Sequence, residues 1–184
     1  NICKLVHGTT LATNAIIEGK GAKTLLLTTN GFRDALETRD ELRYDLHDLF
    51  IQFPTPLVPR RRRIGINERV LFNGKIEKAL EQQDIYKALK NQQVMEVESV
   101  AICFLHSYAN SENEIHAREL IEKNLPNIPI SISSEVLPEI GEYARTSTTV
   151  ANAYVQPLIN RYLEALNYEL CEQGLSGAFF VMGS

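Results

Sequence analysis

Two short stretches of this chain gather residue types that can do chemistry. The first is His7-Gly8-Thr9-Thr10, set between a strand-like apolar run and a helical one. A helix N-terminus has unpaired N–H groups and a partial positive charge, so it can hold an anion. Gly8 lets a ligand approach the backbone, and the two threonine hydroxyls can hydrogen-bond to it. The same residues also fit a plain helix start capped by Thr9, with His7 in a structural role. Asn14 lies one turn into the helix on the side of Thr10, and faces either that pocket or solvent.

The second stretch is Glu142-Tyr143-Ala144-Arg145-Thr146-Ser147-Thr148-Thr149, followed by Asn152. Arg145, Thr148 and Asn152 recur at three- and four-residue spacing, so they share one helix face. A polar face on a helix that otherwise packs a core fits the wall of a cleft. A helix entry rich in caps, with Glu142 and Arg145 as a weak surface pair, accounts for it equally well. Arg60 to Arg63, four arginines beside Pro59, read as a solvated edge or an interface contact.

Strand-like and helix-like segments alternate around these stretches, which predicts an α/β protein with a largely parallel sheet. A strand over Ile2–His7 leads to a helix ending near Glu18, where Gly19 and Gly21 punctuate it. Lys23–Thr29 is the next strand, followed by an Asn30-Gly31 turn and a helix from about Phe32. From Tyr44 to Pro59 the pattern dissolves around Pro54, Pro56 and Pro59, a surface excursion rather than a domain linker. Ile64–Phe72, Asn73-Gly74 and Lys75–Leu80 read as a hairpin with a type I′ turn. A long loop over about 44–63 and a hairpin over about 64–80 are thus inserted in one incomplete domain, 1–184.

Gln82–Met95 is amphipathic, with Ile85 and Leu89 inward, and Ser99–Leu105 is apolar enough for a strand covered on both faces. Ser111 and Glu114 stand in capping-box register for a helix to about Asn124, and Ile128–Ser134 is a further strand. From Gly141 to Glu172, Val150, Tyr154, Leu158, Tyr162, Leu166 and Leu170 keep helical spacing. Pro157 predicts a kink or break there, starting the second half. Ala178–Met182 has a buried-strand pattern. Asn1 is not an initiator methionine and nothing follows the last strand to cover it, so both ends are expected to be cut.

The 184 residues and 44% apolar content suffice for one domain, or one lobe of a larger one. A net charge of −4 does not favour nucleic acid or anionic membrane, and no run approaches the roughly 18 apolar residues that span a bilayer. No secretory signal pattern is visible. Cys3, Cys103 and Cys171 are far apart and lack C-x-x-C spacing, as expected for reduced, mostly buried thiols of a cytoplasmic protein. His7, His47, His106 and His116 show no ligand pairing, so no metal site is expected. G-x-x-x-x-G-K-[ST], G-x-S-x-G and H-E-x-x-H are all missing.

The string HGTTLATNAIIEGKGAKTLLLTTNGFRDALE resembles the opening block of the hydantoinase A family, typically HGTTVATNALLERKGA followed by TT.GFRDVLE. PLVPRRRR with INERV resembles that family's proline- and arginine-containing connection. AICFLHSYANSENE and then SISSEVLPEIGEYARTSTTVANAYVQPLINRYL continue the likeness in order, so it covers essentially the whole chain. Blocks of this length in one order are far more specific than any short motif.

The resemblance implies a ribonuclease-H-like, actin-like ATPase domain, truncated at both ends, with helices on both faces of the sheet. It implies ATP and Mg²⁺ as cofactors of the full-length enzyme, and phosphorylation of an amide or enol oxygen. An unstrained ring amide is a poor electrophile, whereas a phosphorylated oxygen leaves readily. The implied reaction opens a five-membered cyclic amide: hydantoin, N-methylhydantoin or 5-oxoproline. The alternatives are the ATP-using subunit of an acetone or acetophenone carboxylase, and a non-catalytic nucleotide- or sugar-binding regulator of actin-like fold. The implied partner is a second, hydantoinase-B-like subunit, with no nucleic acid and no membrane.

In that family the D-x-G-G-T phosphate hairpin precedes the block at His7, and a Q-S-D/N-G-G-like segment begins near Val181–Ser184. The main ATP loops are therefore expected outside this piece, and the piece alone is expected to be inactive. The residues that match the family's blocks are His7, Gly8, Thr9, Thr10 and Asn14 in one, and Glu142, Arg145, Thr148 and Asn152 in the other. The first block is expected to border the phosphate or substrate oxygen and Arg145 to orient the substrate, at strand ends where open α/β sheets bind ligands. Arg145→Ala in the full-length enzyme is expected to cost turnover with the fold intact. No residue is assigned a catalytic role.

Overall fold

Two short strands buried along their whole length form the centre of the molecule. In a computed structural model that describes residues 4–40, 47, 50–90, 96–174 and 177–183, β2 (Thr24–Thr29) and β6 (Ser99–Cys103) are buried at every position. They pair in parallel, Leu26 opposite Ala101. β3 (Arg63–Ile66) flanks β2 and β7 (Ile130–Ile132) flanks β6, both parallel, in the order β3-β2-β6-β7.

Because side chains alternate across a strand, this sheet builds two cores. Leu25, Leu27, Val100 and Ile102 face α3 (Gln82–Leu89) and α4 (Glu112–Asn124), meeting Ile85, Ala117 and Ile121. Leu26, Ala101 and Cys103 face Val150 and Ala153 of α6 (Glu142–Glu172), with Leu36 of α2 (Ala35–Thr38) and Val58. Each fully buried Leu, Ile or Val contributes about 1.5–3 kcal/mol. Helices therefore cover both faces, as expected.

β1 (Lys4–Thr9) departs from the single-sheet expectation. It pairs in parallel with β8 (Ala178–Gly183), Lys4 opposite Ala178, in a separate two-stranded sheet. β8 is not buried: Val181 and Met182 are 41% and 62% exposed. α1 (Leu11–Ile17) then packs Ala15 against Tyr154 and Val155 of α6. The next turn is held when Ala22 N–H donates to the Tyr154 carbonyl at 2.8 Å. The predicted start of this strand, Ile2 with Asn1 and Cys3, lies outside the described residues.

The segment expected as one hairpin divides in two. Arg63–Ile66 joins the main sheet, and only β4 (Arg69–Val70) with β5 (Ile76–Lys78) forms the hairpin. Its turn is not type I′. Gly74 N–H donates to the Leu71 carbonyl at 2.9 Å, and Gly74 alone is left-handed, with φ 80°, which is a type I turn closed by a bulge. The excursion before it has no regular element over residues 50–59, although Val58 is fully buried, and Arg60–Arg62 form a 3₁₀ turn. Tyr44 lies outside the described residues.

Other local signals were overridden by packing. Ser111 makes no side-chain cap; Asn110 Oδ1 accepts from Glu112 N–H at 2.9 Å, and Glu114 turns inward. The strand expected to Ser134 stops at Ile132, where α5 (Ser133–Val136) begins. The helix from Phe32 shrinks to the four residues of α2, and α3 ends at Leu89, with 91–95 outside the described residues. α6 runs without a break through Pro157. Proline deprives the Ala153 carbonyl of its helical donor. Among the described residues no helix is long and apolar enough to cross a membrane.

Candidate functional site

The carboxyl end of β6 is the polar centre of the molecule. Leaving β6, the chain turns through His106, whose φ of 55° is uncommon for a residue with a side chain. Arg145, in the first turn of α6, reaches this bend. Its Nη2 donates to the Phe104 carbonyl at 2.8 Å and its Nη1 to the Ser107 hydroxyl at 2.9 Å. Nη2 also donates to the Glu142 carboxylate at 3.1 Å, and the guanidinium lies 5.5 Å from the Tyr108 ring centroid. Arg145 is 1% exposed, so the weak surface pair is excluded and the residue is a buried ion. Burial pushes the Glu142 carboxyl above its ordinary value, and Arg145 pulls it part of the way back.

The network continues behind Ser107. The Ser107 and Ser133 hydroxyls share a hydrogen bond at 2.9 Å, and Ser133 donates to Glu114 at 2.6 Å. Glu114, fully buried, also accepts from the backbone N–H groups of Phe104 and Ser134 at 2.8 and 2.9 Å. One carboxylate, two hydroxyls and one guanidinium thus tie the end of β6 to α5 and α6. Sequence reasoning read Glu114 as a cap and passed over Ser107 and Ser133. A signal was present, since Glu114 shares its helix face with buried Ala117 and Ile121, three and seven residues on.

The rest of the second block is divided. Asn152 donates to Ser131 Oγ at 2.9 Å, joining α6 to β7, while Thr148 is exposed. The buried hydroxyls are instead those of Thr146, 3.1 Å from Cys103 Sγ, and Thr149, which donates to the Arg145 carbonyl at 2.7 Å. Burial pushes the Cys103 thiol up to about 12, so it stays protonated and unreactive. Of the arginine run, Arg60 is an exposed partner of Asp34, whereas Arg63 is buried, bonded to Glu37 and to the Val58 carbonyl. The solvated edge ends at Arg62.

The first block lies elsewhere. His7 Nε2 and Tyr162 Oη are 2.7 Å apart, which pins β1 to α6. Thr9 Oγ1 accepts from Leu11 N–H at 3.2 Å, and Thr10 Oγ1 accepts from the exposed Asn14 amide at 3.4 Å. Each threonine keeps its own hydroxyl hydrogen to give, and a side chain added at Gly8 would meet nothing within 4 Å. These groups fit the acceptor oxygens of a phosphate, although α1 is only seven residues long. Among the described residues no three His, Cys, Asp or Glu side chains gather as a metal site. His7 meets α6 seventeen residues beyond Arg145, about 26 Å along the helix axis. The two blocks therefore do not form one pocket within this chain.

Comparison with known proteins names the family. The model for the hydantoinase/oxoprolinase N-terminal region matches residues 1–125. The chain belongs to this family. It is 40% identical over 98% of its length to an uncharacterised protein of Methanocaldococcus jannaschii, of which it covers 27%. It is 38% identical over 88% of its length to caprolactamase subunit alpha of Pseudomonas jessenii, of which it covers 24%. The crystal structure of that ATP-dependent caprolactamase superposes on 96% of this chain and 26% of its own, with a TM-score of 0.89 and 36% identity. A nucleotide-free acetone carboxylase, from work on ATP-dependent acetone carboxylation, matches 96% of this chain and 27% of its own, at 0.81 and 28%. The mostly parallel α/β fold is thus the actin-like ATPase class, and the chain spans about a quarter of the length of the relatives it matches.

Proposed function

We propose that the parent of this chain is a cytoplasmic, ATP-dependent enzyme that opens a cyclic amide. The observation that carries this is the likeness to an ATP-dependent caprolactamase over 96% of the chain. The substrate group is a five-membered ring amide such as hydantoin, N-methylhydantoin or 5-oxoproline, in keeping with the family's name. ATP with Mg²⁺ supplies a phosphoryl group that turns the amide oxygen into a leaving group. Gly8, Thr9 and Thr10 border the phosphate, with His7 and Asn14 holding that turn in place. Arg145 with Glu142 positions the Phe104–Ser107 bend that carries the substrate side, and Asn152 and Thr148 continue that face. A hydantoinase-B-like second subunit completes the enzyme, a reading supported by the subunit alpha of the relative's name. Free Cys103 and Cys171 suit a reducing compartment.

The likeness to acetone carboxylase favours a second reading, the ATP-using subunit of a ketone carboxylase. ATP hydrolysis by the full-length parent with its partner subunit separates the two. Offered hydantoin, N-methylhydantoin, 5-oxoproline and caprolactam, the enzyme should be stimulated by a ring amide. Stimulation only by acetone or acetophenone with bicarbonate would move it to the carboxylase branch. Silence with Mg-ATP still bound would sink both and leave a non-catalytic regulator.

A further inference from the structure

Arg39 follows α2 with φ 55° and ψ −145°, a backbone region nearly confined to glycine. Its Nη2 donates to the Pro54 carbonyl at 2.6 Å, and its guanidinium lies 4.5 Å over the Phe53 ring. Arg60 and Arg63 close by are each paired with a carboxylate, Asp34 and Glu37. Arg39 is not so paired among the described residues. It forms one wall of a cavity of about 310 Å³ between α2, residues 54–57 and α6. Leu36, Leu57 and Val150 give that cavity apolar walls, Tyr143 and Ser147 add hydroxyls, and among the described residues no acidic side chain lines it.

A single cation beside apolar walls and a few hydroxyls selects for a molecule with one anionic end and a hydrocarbon body. The planar fork of arginine suits a carboxylate in particular. The volume is at the small end of the range of ligand pockets, which matches a compact molecule.

We propose that this cavity binds a small organic carboxylate, its charge on Arg39 and its body against Leu36, Leu57 and Val150. The same chemistry can come from a carboxylated substrate, from the acid released when a ring amide opens, or from a separate effector. The site does not depend on the ring-opening reading, because it rests on the lining alone. Its lining is also separate from the Glu114–Arg145 network, so disabling it leaves that network intact.

The test is calorimetric titration of the parent, with its partner subunit, using hexanoate and its neutral counterpart hexanamide. Hexanoate should bind and hexanamide should bind roughly tenfold more weakly or not at all. Arg39→Gln should weaken hexanoate by about the same factor, with Arg39→Lys between the two. Arg39→Gly removes the charge while relieving the backbone, so its loss of binding cannot be blamed on unfolding. Equal binding of acid and amide, or wild-type affinity in the Gln or Gly variant, would overturn the site, as would the absence of any heat with hexanoate. Displacement of hexanoate by 5-oxoproline marks a substrate site, and displacement by 6-aminohexanoate marks a product site. Displacement by neither, with hexanoate altering ATP hydrolysis, marks an effector site. Stimulation of wild-type ATP hydrolysis by a ring amide, measured apart from hexanoate binding, keeps the catalytic reading separate from this one.

Discussion

A guanidinium taken out of water must replace its hydration with donors' partners in the protein, and Arg145 does so with a backbone carbonyl, a serine hydroxyl and a carboxylate. Removing one side of such a buried pair typically costs about 3–5 kcal/mol, because the other charge is left uncompensated. Arg145→Ala should therefore unfold at markedly lower urea, a larger effect than the loss of turnover expected from the sequence alone. Arg145→Lys should recover only part of the loss, since an ammonium cannot reproduce the fork that spans Phe104 and Ser107. An unchanged urea midpoint for the alanine variant would mean that the buried pair contributes nothing to stability. Arg145 was visible in the sequence as part of a polar helix face. Its pairing with Glu142 was visible too, but the network behind it was not, because Ser107, Ser133 and Glu114 come from three separate segments that only the fold assembles.

At the scale of elements, the connection between α1 and β2 depends on one missing side chain. A Cβ at Gly21 would collide with the Tyr154 ring, which is itself 6% exposed and fixed in the α1–α6 contact. Gly21→Ala should cost about 1–3 kcal/mol by overpacking, read as a fall in the thermal or urea midpoint. Pairing it with Tyr154→Leu should return part of that loss; a fully additive double variant would show that the ring is not the obstacle. Elements whose signal is local were legible beforehand. β2 and β6 centre on the apolar runs Leu25–Leu27 and Val100–Cys103, and α4 and α6 carry the helical period that structure confirms. Elements defined by their partners were not. Arg63–Ile66 reads the same whether it enters a hairpin or a parallel sheet, and only β2 decides the matter. The proposed anion-binding role of His7–Thr10 rests on residue chemistry read from the sequence, but the distance of this block from Arg145 was not legible there, because spacing along α6 says nothing about where β1 docks.

The molecule as a whole should respond to acid in an unusual direction at two positions. Burial raises the carboxyls of Glu68 and Glu142 above their ordinary value of 4.5, against the pull of Thr29 and Asn113 on the first and Arg145 on the second. A raised folded value means that the contribution to stability is complete below the unfolded value and is lost as pH rises through the folded one. As pH falls through these raised folded values toward 4.5, then, acidification should stabilise the native state through these groups. Asp34 and Glu96 are shifted down by Arg60 and Lys23, but the Asp34 side chain is about half exposed and that of Glu96 mostly so, and their opposite effect is small. Urea midpoints across this range should rise less in Glu68→Gln than in the wild type; parallel curves would show that Glu68 titrates alike in both states.

The pairing of β1 with β8 also sets an order of events in time. Among the described residues the strand at Lys4 pairs with the one at Ala178, roughly 170 residues later, and synthesis at about 5–20 residues per second delays that partner by some 9–35 s. α1 and His7 wait as well, because both dock on α6. The β2–β6 core can close long before, from segments already made. Among the described residues, β1 and α1 are thus among the last to find these partners, and both wait with the faces that dock on β8 and α6 uncovered.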